Sequence, residues 1–478
     1  FFFFFYIFII KFTYVSQLKI IFMLNKTALW EPSEDYILNS NMTEFRNYVN
    51  AKFGLQLENY YQLYDWSINY FVSFWQTLAE FSEISFNKLP SQVLKHKKSG
   101  LKEEDMLNYI WFDKAELNFA ENLLRFRDDK TALVYYSEYA GPQKLSYKQL
   151  YDEVSKVVQA FKNSGVEKGD RIAGFISNCP EAVISMLAAV SIGAIWSSCS
   201  PDFGAGGVYD RFHQIDPKIL IAVDGYMYNG KVYNTLDIVT EVSEKLPNLQ
   251  KVVILPFMNL FNNENQNEKF INWENFTDYT AEKIEFVYSV FNHPLYIMYS
   301  SGTTGVPKCI VHGVGGTLLQ HYKELALHTN LKSDDTIFYF TTCGWMMWNW
   351  LISSLFIGAK IVLFDGSPAY PDINRLWKIA EIEKINVFGT SPKFISSCMK
   401  AGINPGNDFD LSELKVVLST GSPLAAENFD WIYTNVKKDV QLSSIAGGTD
   451  IISCFMLGNP TLPVYSEEIQ CRGLGMKV

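Results

Sequence analysis

Short β-rich runs alternate with helix-like segments along most of the chain after residue 125. The run "GDRIAGFIS" has the composition of a strand, and Pro180 opens the helix-like segment "PEAVISMLAAVSIGA" that follows it. Similar β-rich runs recur at "KILIAVD", "KVVILP", "LYIMY", "KIVLF", "INVFG" and "LKVVLS". Strands that alternate with helices form mostly parallel sheets, with ligand sites in the loops at the C-terminal ends of the strands. The sequence therefore predicts an α/β fold of several mostly parallel sheets flanked by helices.

The region before this alternation divides into two segments. Residues 1–22 are apolar, but Lys11 and Lys19 interrupt them, and Met23 opens an ordinary sequence. We interpret residues 1–22 as a translated non-coding leader, with a membrane anchor as the alternative. Residues 23–125 carry apolar side chains at helical spacing in "FRNYVNAKFG" and "YFVSFWQTLAEF", which predicts a helical cap region. Residues 126–478 form the predicted ligand-binding core.

Charge and cysteine content restrict the classes of molecule that the protein is expected to bind. The formal net charge of -10 gives no electrostatic reason to expect nucleic acid, which needs a basic face. The seven cysteines are scattered without a C-x-x-C pair, which favours a reducing compartment such as the cytosol. We therefore expect small-molecule substrates and neither nucleic acid nor a membrane, whereas oligomeric state is left open.

The loop "YSSGTTGVPK" (299–308) follows the β-rich run "LYIM". Its glycines permit backbone conformations in which successive N–H groups form an anion-binding nest, while hydroxyls and Lys308 add further donors. It is not a Walker loop, because Pro307 replaces the second glycine and Cys309 follows the lysine. The loop predicts a phosphate site, and a plain strand-to-helix turn is the alternative.

Five further blocks accompany this loop in a fixed order. They are "LNFAENLL" (117–124), "TTCGWMMWNW" (341–350), "LFDGSPAYPD" (363–372), "STGSPL" (419–424) and "SIAGGTDI" (444–451). Together with the loop, they resemble the acyl-adenylate-forming superfamily, which includes acyl-CoA synthetases and luciferases. The resemblance covers almost everything after about residue 115 and implies that residues 126–478 are an adenylation core.

The resemblance implies roles in ATP binding. The loop residues would hold the β- and γ-phosphates, Thr449 would contact the α-phosphate, and Asp450 would bind Mg²⁺, which prefers one or two carboxylates plus phosphate oxygens. Thr304, Lys308, Thr449 and Asp450 are the implied catalytic residues. The implied loop contacts are Ser301, Gly302, Thr303, Thr304, Gly305 and Lys308, and those against adenine are Gly421, Ser422 and Pro423. Asp450 as a helix cap and "GSP" as an ordinary turn are the structural alternatives.

The resemblance also implies an acyl pocket. Positions that carry bulky tryptophans in acetate-activating relatives look like Ala446 and Gly447 here, which would admit a longer acid. The opposing wall would comprise Trp345, Met346, Met347, Trp348 and Asn349. The wording of the blocks is most similar to superfamily members that activate acetoacetate, and acetoacetate is the expected acid. Propionate or butyrate would also enter, because apolar pockets discriminate a methylene by only about 1–3 kcal/mol.

The implied reaction has two steps, in which the acid and ATP form an acyl-adenylate and coenzyme A then displaces AMP. Lys231 falls where the superfamily places a basic residue near coenzyme A. His312 is interpreted as structural. The chain stops before the segment in which the superfamily carries its small C-terminal domain, so we expect that domain to be absent and little or no turnover. Alternatives are another short- or medium-chain acyl-CoA synthetase, or a non-catalytic ATP-binding protein.

Overall fold

The computed structural model describes residues 27–97, 108–262, 268–300 and 305–478. The predicted leader (1–22) and the loop positions Ser301, Gly302, Thr303 and Thr304 lie outside the described residues. Ser300 and Gly305, on either side of these loop positions, are described.

Four helices open the described chain, as the apolar spacing of this region predicts: Glu34–Leu38, Asn41–Phe53, Tyr60–Asn69 and Phe71–Phe81. Ser40 caps the second helix by accepting a hydrogen bond from the Thr43 N–H, and Gly54 ends it with a φ of 65°. A two-stranded antiparallel sheet, Gln92–His96 with Tyr109–Asp113, follows these helices. This pair was not predicted from the sequence, and its strands are five residues long and only partly buried.

Two seven-stranded sheets form the centre of the fold. The first sheet runs, in spatial order, through Phe270–Asn272, Lys251–Leu255, Ile219–Val223, Arg171–Phe175, Ile195–Cys199, Pro294–Ser300 and Lys308–Gly313. Its neighbouring strands are parallel except for the last pair, which is the antiparallel hairpin on either side of the predicted phosphate loop. All five side chains of Ile219–Val223 are buried, as expected for a parallel strand covered on both faces.

The second sheet has the same design. Its spatial order is Gln441–Ser444, Val416–Ser419, Val387–Thr390, Thr336–Tyr339, Lys360–Asp365, Thr131–Ser137 and Gln143–Ser146. Only the pair at its Gln143–Ser146 edge is antiparallel. The predicted α/β fold with mostly parallel sheets is therefore confirmed.

Helices cover both sheets. Pro180 occupies the first turn of the helix Pro180–Ser191, as predicted, and a capping box of Ser146 and Gln149 starts Tyr147–Asn163. The remaining α-helices are Phe119–Leu123, Ala205–Ile215, Leu236–Lys245, Trp273–Phe276, Val314–Tyr322, Met346–Ile352, Arg375–Glu383, Pro392–Ala401, Pro405–Asp408 and Ala426–Trp431. Helical segments of other types are Lys323–His328 and Ile432–Val436, which are π-helical, and Ser353–Phe356, which is a 3-10 helix. The minor strand pairs are Gly225–Tyr228 with Lys231–Asn234, and Glu116–Leu117 with Ser289–Val290. Within the described ranges, no helix combines the length and apolar character needed to cross a membrane.

A small antiparallel sheet near the end of the chain contains Ala446–Gly448, Ser453–Leu457 and Cys471–Arg472. Buried histidines attach it to the body of the fold. His321 Nε2 lies 2.9 Å from the Ile452 carbonyl, and His328 Nδ1 lies 2.9 Å from that of Gly458. A carbonyl only accepts, so each of these ring nitrogens donates. We call this three-stranded element the terminal sheet.

Candidate active site

Strands from both large sheets end at one cavity, as expected for parallel sheets. Its volume is about 750 Å³. The first sheet contributes Ser198 and Cys199 from the end of one strand and Tyr299 and Ser300 from the end of another. The second sheet contributes the loop that follows Val416–Ser419. The terminal sheet forms another part of the wall.

Most of the residues predicted from the blocks line this cavity. They are Trp345, Met346, Met347, Gly421, Ser422, Pro423, Ala446, Gly447, Thr449 and Asp450. Distant segments of the chain therefore meet where the resemblance implied a common site. Their individual roles stay predictions.

Other predicted residues lie outside this wall. Trp348 is fully buried, with its indole N–H donating to Asn178 Oδ1 at 3.0 Å. Asn349 is buried as well and lines a second cavity of about 10 Å³, too small for an acid. Lys231 is exposed on the hairpin that follows Gly225–Tyr228, and it does not line the large cavity.

The described ends of the predicted phosphate loop are Ser300 on one side and Gly305 on the other. Gly305 has a φ of 97°, a conformation that favours glycine. Lys308 is exposed, pairs with Ser300 across the hairpin, and is not among the cavity-lining residues. At the end of the loop, the Pro307 carbonyl accepts a hydrogen bond from Gln214 Nε2 at 3.0 Å. This contact attaches the helix Ala205–Ile215 to the loop.

Thr449 and Asp450 occupy the turn between the first two strands of the terminal sheet. His312 Nε2 lies 2.7 Å from the Thr449 carbonyl, to which it donates. Burial lowers the pKa of His312, while the Thr449 carbonyl and the Asp450 carboxylate act in the opposite direction. His312 follows the phosphate loop in sequence, so this bond ties that loop to the turn. The interpretation of His312 as structural agrees with this contact.

Ala446 and Gly447, the two small residues of the predicted acyl pocket, differ in whether a larger side chain could replace them. Both line the cavity. A Cβ added to Gly447 would lie 2.1 Å from the Ser453 carbonyl oxygen and 2.8 Å from the Cys454 Cα. Glycine is needed at position 447 because the neighbouring strand backbone occupies that space. Ala446 already carries a Cβ, so a larger side chain at this position can be used to probe the pocket.

Backbone conformation also specifies the loop 421–423, which is predicted to lie against adenine. Gly421 has a φ of 100°, in the region where side chains are strained. Thr420 Oγ1 donates to the Ile445 carbonyl at 2.9 Å, which joins the ends of two neighbouring strands. Gly421, Ser422 and Pro423 are exposed to the cavity and surrounding solvent. This geometry leaves an open backbone surface for a planar ring.

Several cavity residues were missed by the sequence interpretation, among them Phe203, Arg211, Tyr299, Glu467 and Glu468. Arg211 and Phe203 belong to the segment that follows the strand Ile195–Cys199. The position of this segment after a predicted core strand was the only available signal, because no motif identifies it.

Asp450 fits the predicted magnesium role in part. Its carboxylate is exposed and lines the cavity. Among the described residues, no group of three or more His, Cys, Asp or Glu side chains could hold a metal ion. A single carboxylate suits Mg²⁺ that takes its other ligands from phosphate oxygens and water.

The two sheets, the cavity between strand ends and the adjoining terminal sheet define a class of enzyme. Residues 119–470 match the model of the AMP-binding enzymes, and residues 60–123 match the acetyl-coenzyme A synthetase N-terminus. The chain belongs to the AMP-binding enzyme family, which confirms the superfamily resemblance. Within that family, the proteins to which the chain is similar include curated acetoacetyl-CoA synthetases.

These relatives come from animals and bacteria. The chain is 42% identical over 468 residues to the acetoacetyl-CoA synthetase of Xenopus tropicalis, covering 95% of this chain and 68% of that protein. It is 44% identical over 463 residues to acetoacetyl-coenzyme A synthetase of Rhizobium meliloti, covering 95% and 69%. The solved acetoacetyl-CoA synthetase from Streptomyces lividans superposes with a TM-score of 0.88 at 38% identity, over 94% of this chain and 69% of that one.

Proposed function

We propose that this protein acts in the ATP-dependent ligation of acetoacetate to coenzyme A through an acetoacetyl-adenylate, with release of AMP and pyrophosphate. The observation that carries the proposal is the meeting of the Gly421 loop, the Thr449–Asp450 turn and the Met346–Met347 wall around one cavity. The names of the similar proteins support the choice of acid.

In the proposed first step, a carboxylate oxygen of the acid attacks the α-phosphorus of ATP, and the bond to pyrophosphate breaks. The Thr449 hydroxyl would donate to the α-phosphate, and the bond from His312 to the Thr449 carbonyl supports this role by holding the backbone of the turn. Asp450 would hold Mg²⁺, which when bound stabilises negative charge on the phosphate oxygens. In the second step, the thiol of coenzyme A attacks the acyl carbonyl, and AMP leaves.

The choice of acid rests on the cavity wall. Met346 and Met347 supply apolar, adaptable side chains, and Ala446 supplies little bulk. Acetoacetate contains one more methylene–carbonyl unit than acetate, and the wall has no large side chain at Ala446 to exclude it. The part of the wall formed by Met346, Met347 and Ala446 is apolar, as is usual where a small-molecule site holds an apolar group.

We also propose a reducing compartment such as the cytosol. All seven cysteines are free, and six of them are buried. Desolvation by burial raises the pKa of Cys343 and Cys454, so both thiols stay protonated and unreactive near neutral pH.

The test of function combines binding and chemistry. ATP and AMP are titrated into the protein by calorimetry, and acyl-adenylate and acyl-CoA are then measured by mass spectrometry. The reaction contains equimolar acetoacetate, acetate and butyrate with ATP, Mg²⁺ and coenzyme A. We expect nucleotide binding, with acetoacetyl products predominant if turnover occurs. Predominant acetyl or butyryl products would contradict the assigned acid. Nucleotide binding without any adduct, even after a C-terminal domain from a relative is joined to the chain, would favour an ATP-binding role alone. No binding by the folded chain would overturn the proposal.

A substitution at Ala446 tests the pocket directly. Ala446→Trp should weaken acetoacetate binding relative to acetate by roughly 10- to 100-fold, because the indole shortens the cavity. The measurement is calorimetric titration of both acids in the presence of AMP. The control is Leu89→Trp, at a residue that is 74% exposed and outside the cavity wall. Equal losses for both acids would show that Ala446 does not set chain length.

A further inference from the structure

We propose that Arg211 binds the outer phosphate groups of the nucleotide, as a second cation beside the predicted phosphate loop. This inference rests on the proposed function, since it assigns part of the same site. No sequence motif pointed to this residue, and the assignment comes from its position in the cavity wall.

Arg211 is the only lysine or arginine among the described residues that line the cavity. The same wall contains three acids: Asp450, Glu467 and Glu468. A triphosphate that enters this space meets carboxylates of its own sign, so it needs nearby positive charge. The guanidinium of Arg211 supplies that charge as a planar donor suited to phosphate oxygens.

Packing holds the Arg211 side chain in place. Its Cζ lies 4.2 Å from the ring centroid of Phe203 and 5.7 Å from that of Tyr299. One terminal nitrogen donates to the Gly207 carbonyl at 2.7 Å. These contacts orient the guanidinium while leaving most of its five N–H groups without a protein acceptor among the described residues.

Within the described part of the chain, no carboxylate neutralises this guanidinium. Arg211 is only half-exposed, yet it forms no ion pair with any described residue. Its electrostatic influence falls instead on the neutral groups Cys199 and Tyr299. A half-buried cation without a described counter-ion, in the wall of a ligand cavity, is the arrangement expected for binding an anion.

The surroundings favour the outer phosphates over the acid. Arg211 lies against Tyr299, the first residue of the loop 299–308, and the Tyr299 hydroxyl donates to the Arg211 carbonyl at 3.3 Å. Gln214, three residues further along the same helix, donates to Pro307 at the other end of the loop. The helix therefore contacts both ends of the segment predicted to hold the β- and γ-phosphates. The acyl wall at Met346 and Met347 belongs to a different helix.

The test measures the affinities of ATP, inorganic pyrophosphate and AMP by titration calorimetry. Arg211→Met should weaken ATP and pyrophosphate binding by roughly 10- to 100-fold, the range expected for lost charge-assisted hydrogen bonds. AMP affinity should stay within about 2-fold, because AMP carries no outer phosphates. Arg211→Lys should give intermediate affinities, since it keeps the charge but loses the planar donor.

Arg127→Met is the matched control. Arg127 lies over the Tyr151 ring with the same Cζ-to-centroid distance of 4.2 Å, but it is not in the cavity wall. It should leave all three affinities unchanged. Circular dichroism checks whether each variant is folded. If Arg211→Met is unfolded, the pyrophosphate affinity of Arg211→Lys shows whether Arg211 binds the outer phosphates.

Three outcomes would overturn the assignment: equal losses for AMP and ATP, weakened binding of acetoacetate alone, or affinities for Arg211→Met and Arg211→Lys that match the wild type. If the wild-type chain binds neither ATP nor AMP, the proposed function itself fails, which is a different result from normal nucleotide binding that is insensitive to Arg211.

Discussion

Replacing Glu324 with alanine should lower the free energy of unfolding by about 3–5 kcal/mol, because the change leaves a buried lysine without its counter-charge. The side chains of Lys323 and Glu324 are both 0% exposed, and their charged atoms are 3.7 Å apart. Lys323 Nζ makes no hydrogen bond with any described group, and burial lowers its pKa. The nearby carboxylate therefore provides its main compensation.

Glu324 has a second structural role. It accepts hydrogen bonds from the Trp350 indole at 3.0 Å, from the Cys454 N–H at 2.9 Å, and from the Ser453 hydroxyl. Ser453 and Cys454 begin the middle strand of the terminal sheet. Loss of the carboxylate would leave these buried donors unsatisfied, which adds to the cost of the isolated charge.

Urea unfolding followed by tryptophan fluorescence measures the effect of Glu324→Ala. Glu427→Ala is the control, since Glu427 is exposed and its replacement should change stability by at most about 0.5 kcal/mol. In a Lys323→Met background, the loss caused by Glu324→Ala should shrink, because no buried cation remains. Additive effects of the two substitutions would contradict the proposed pairing.

Acidification from pH 7 to pH 5 should lower stability by about 4 kcal/mol through His321 and His328 together. Burial lowers the pKa of each histidine from 6.5 to about 3, and for His328 the charge of Lys323 adds to the effect. Between these values, the unfolded chain binds protons that the folded chain does not. The two histidines have a negligible effect on stability above about pH 7, and stability is lost as pH falls through 6.5 toward 3.

The hydrogen bonds of the two histidines also predict that the folded state loses stability when the rings are protonated. His328 Nε2 accepts from the Leu474 N–H at 3.2 Å, while its Nδ1 donates to Gly458. Protonation would remove the acceptor and place two donors against each other. His321 must likewise stay neutral in its fully buried position between Ser353 and Ile452. Both rings hold the terminal sheet, so acid should loosen the turn that carries Thr449 and Asp450.

Urea midpoints measured at half-unit steps between pH 5 and pH 8 test this expectation. His328→Gln retains a donor and an acceptor but does not titrate, so it should remove about half of the stability loss between pH 7 and pH 5, or about 2 kcal/mol. Its midpoint at pH 8 separates the intrinsic cost of the substitution from the titration. An unchanged slope in His328→Gln would contradict the assignment to this ring.

Much of the fold could be predicted because its signals are local. The strands Arg171–Phe175, Lys251–Leu255 and Val416–Ser419 coincide with β-rich runs, and Pro180 begins its predicted helix. The hairpin Gln92–His96 with Tyr109–Asp113 was missed, because its partly buried strands show no clear alternation between apolar and polar residues.

The fold class, the family and the segments that meet at the site could be predicted from the sequence, because turn chemistry, residue periodicity and ordered blocks are properties of neighbouring residues. Which side chains face the cavity depends on three-dimensional packing. Successive residues of a helix point about 100° apart, so Met347 lines the wall while Trp348 and Asn349 face the interior. Likewise, the Tyr299 ring that packs beside Arg211 comes from 88 residues further along the chain, and local spacing does not specify this contact.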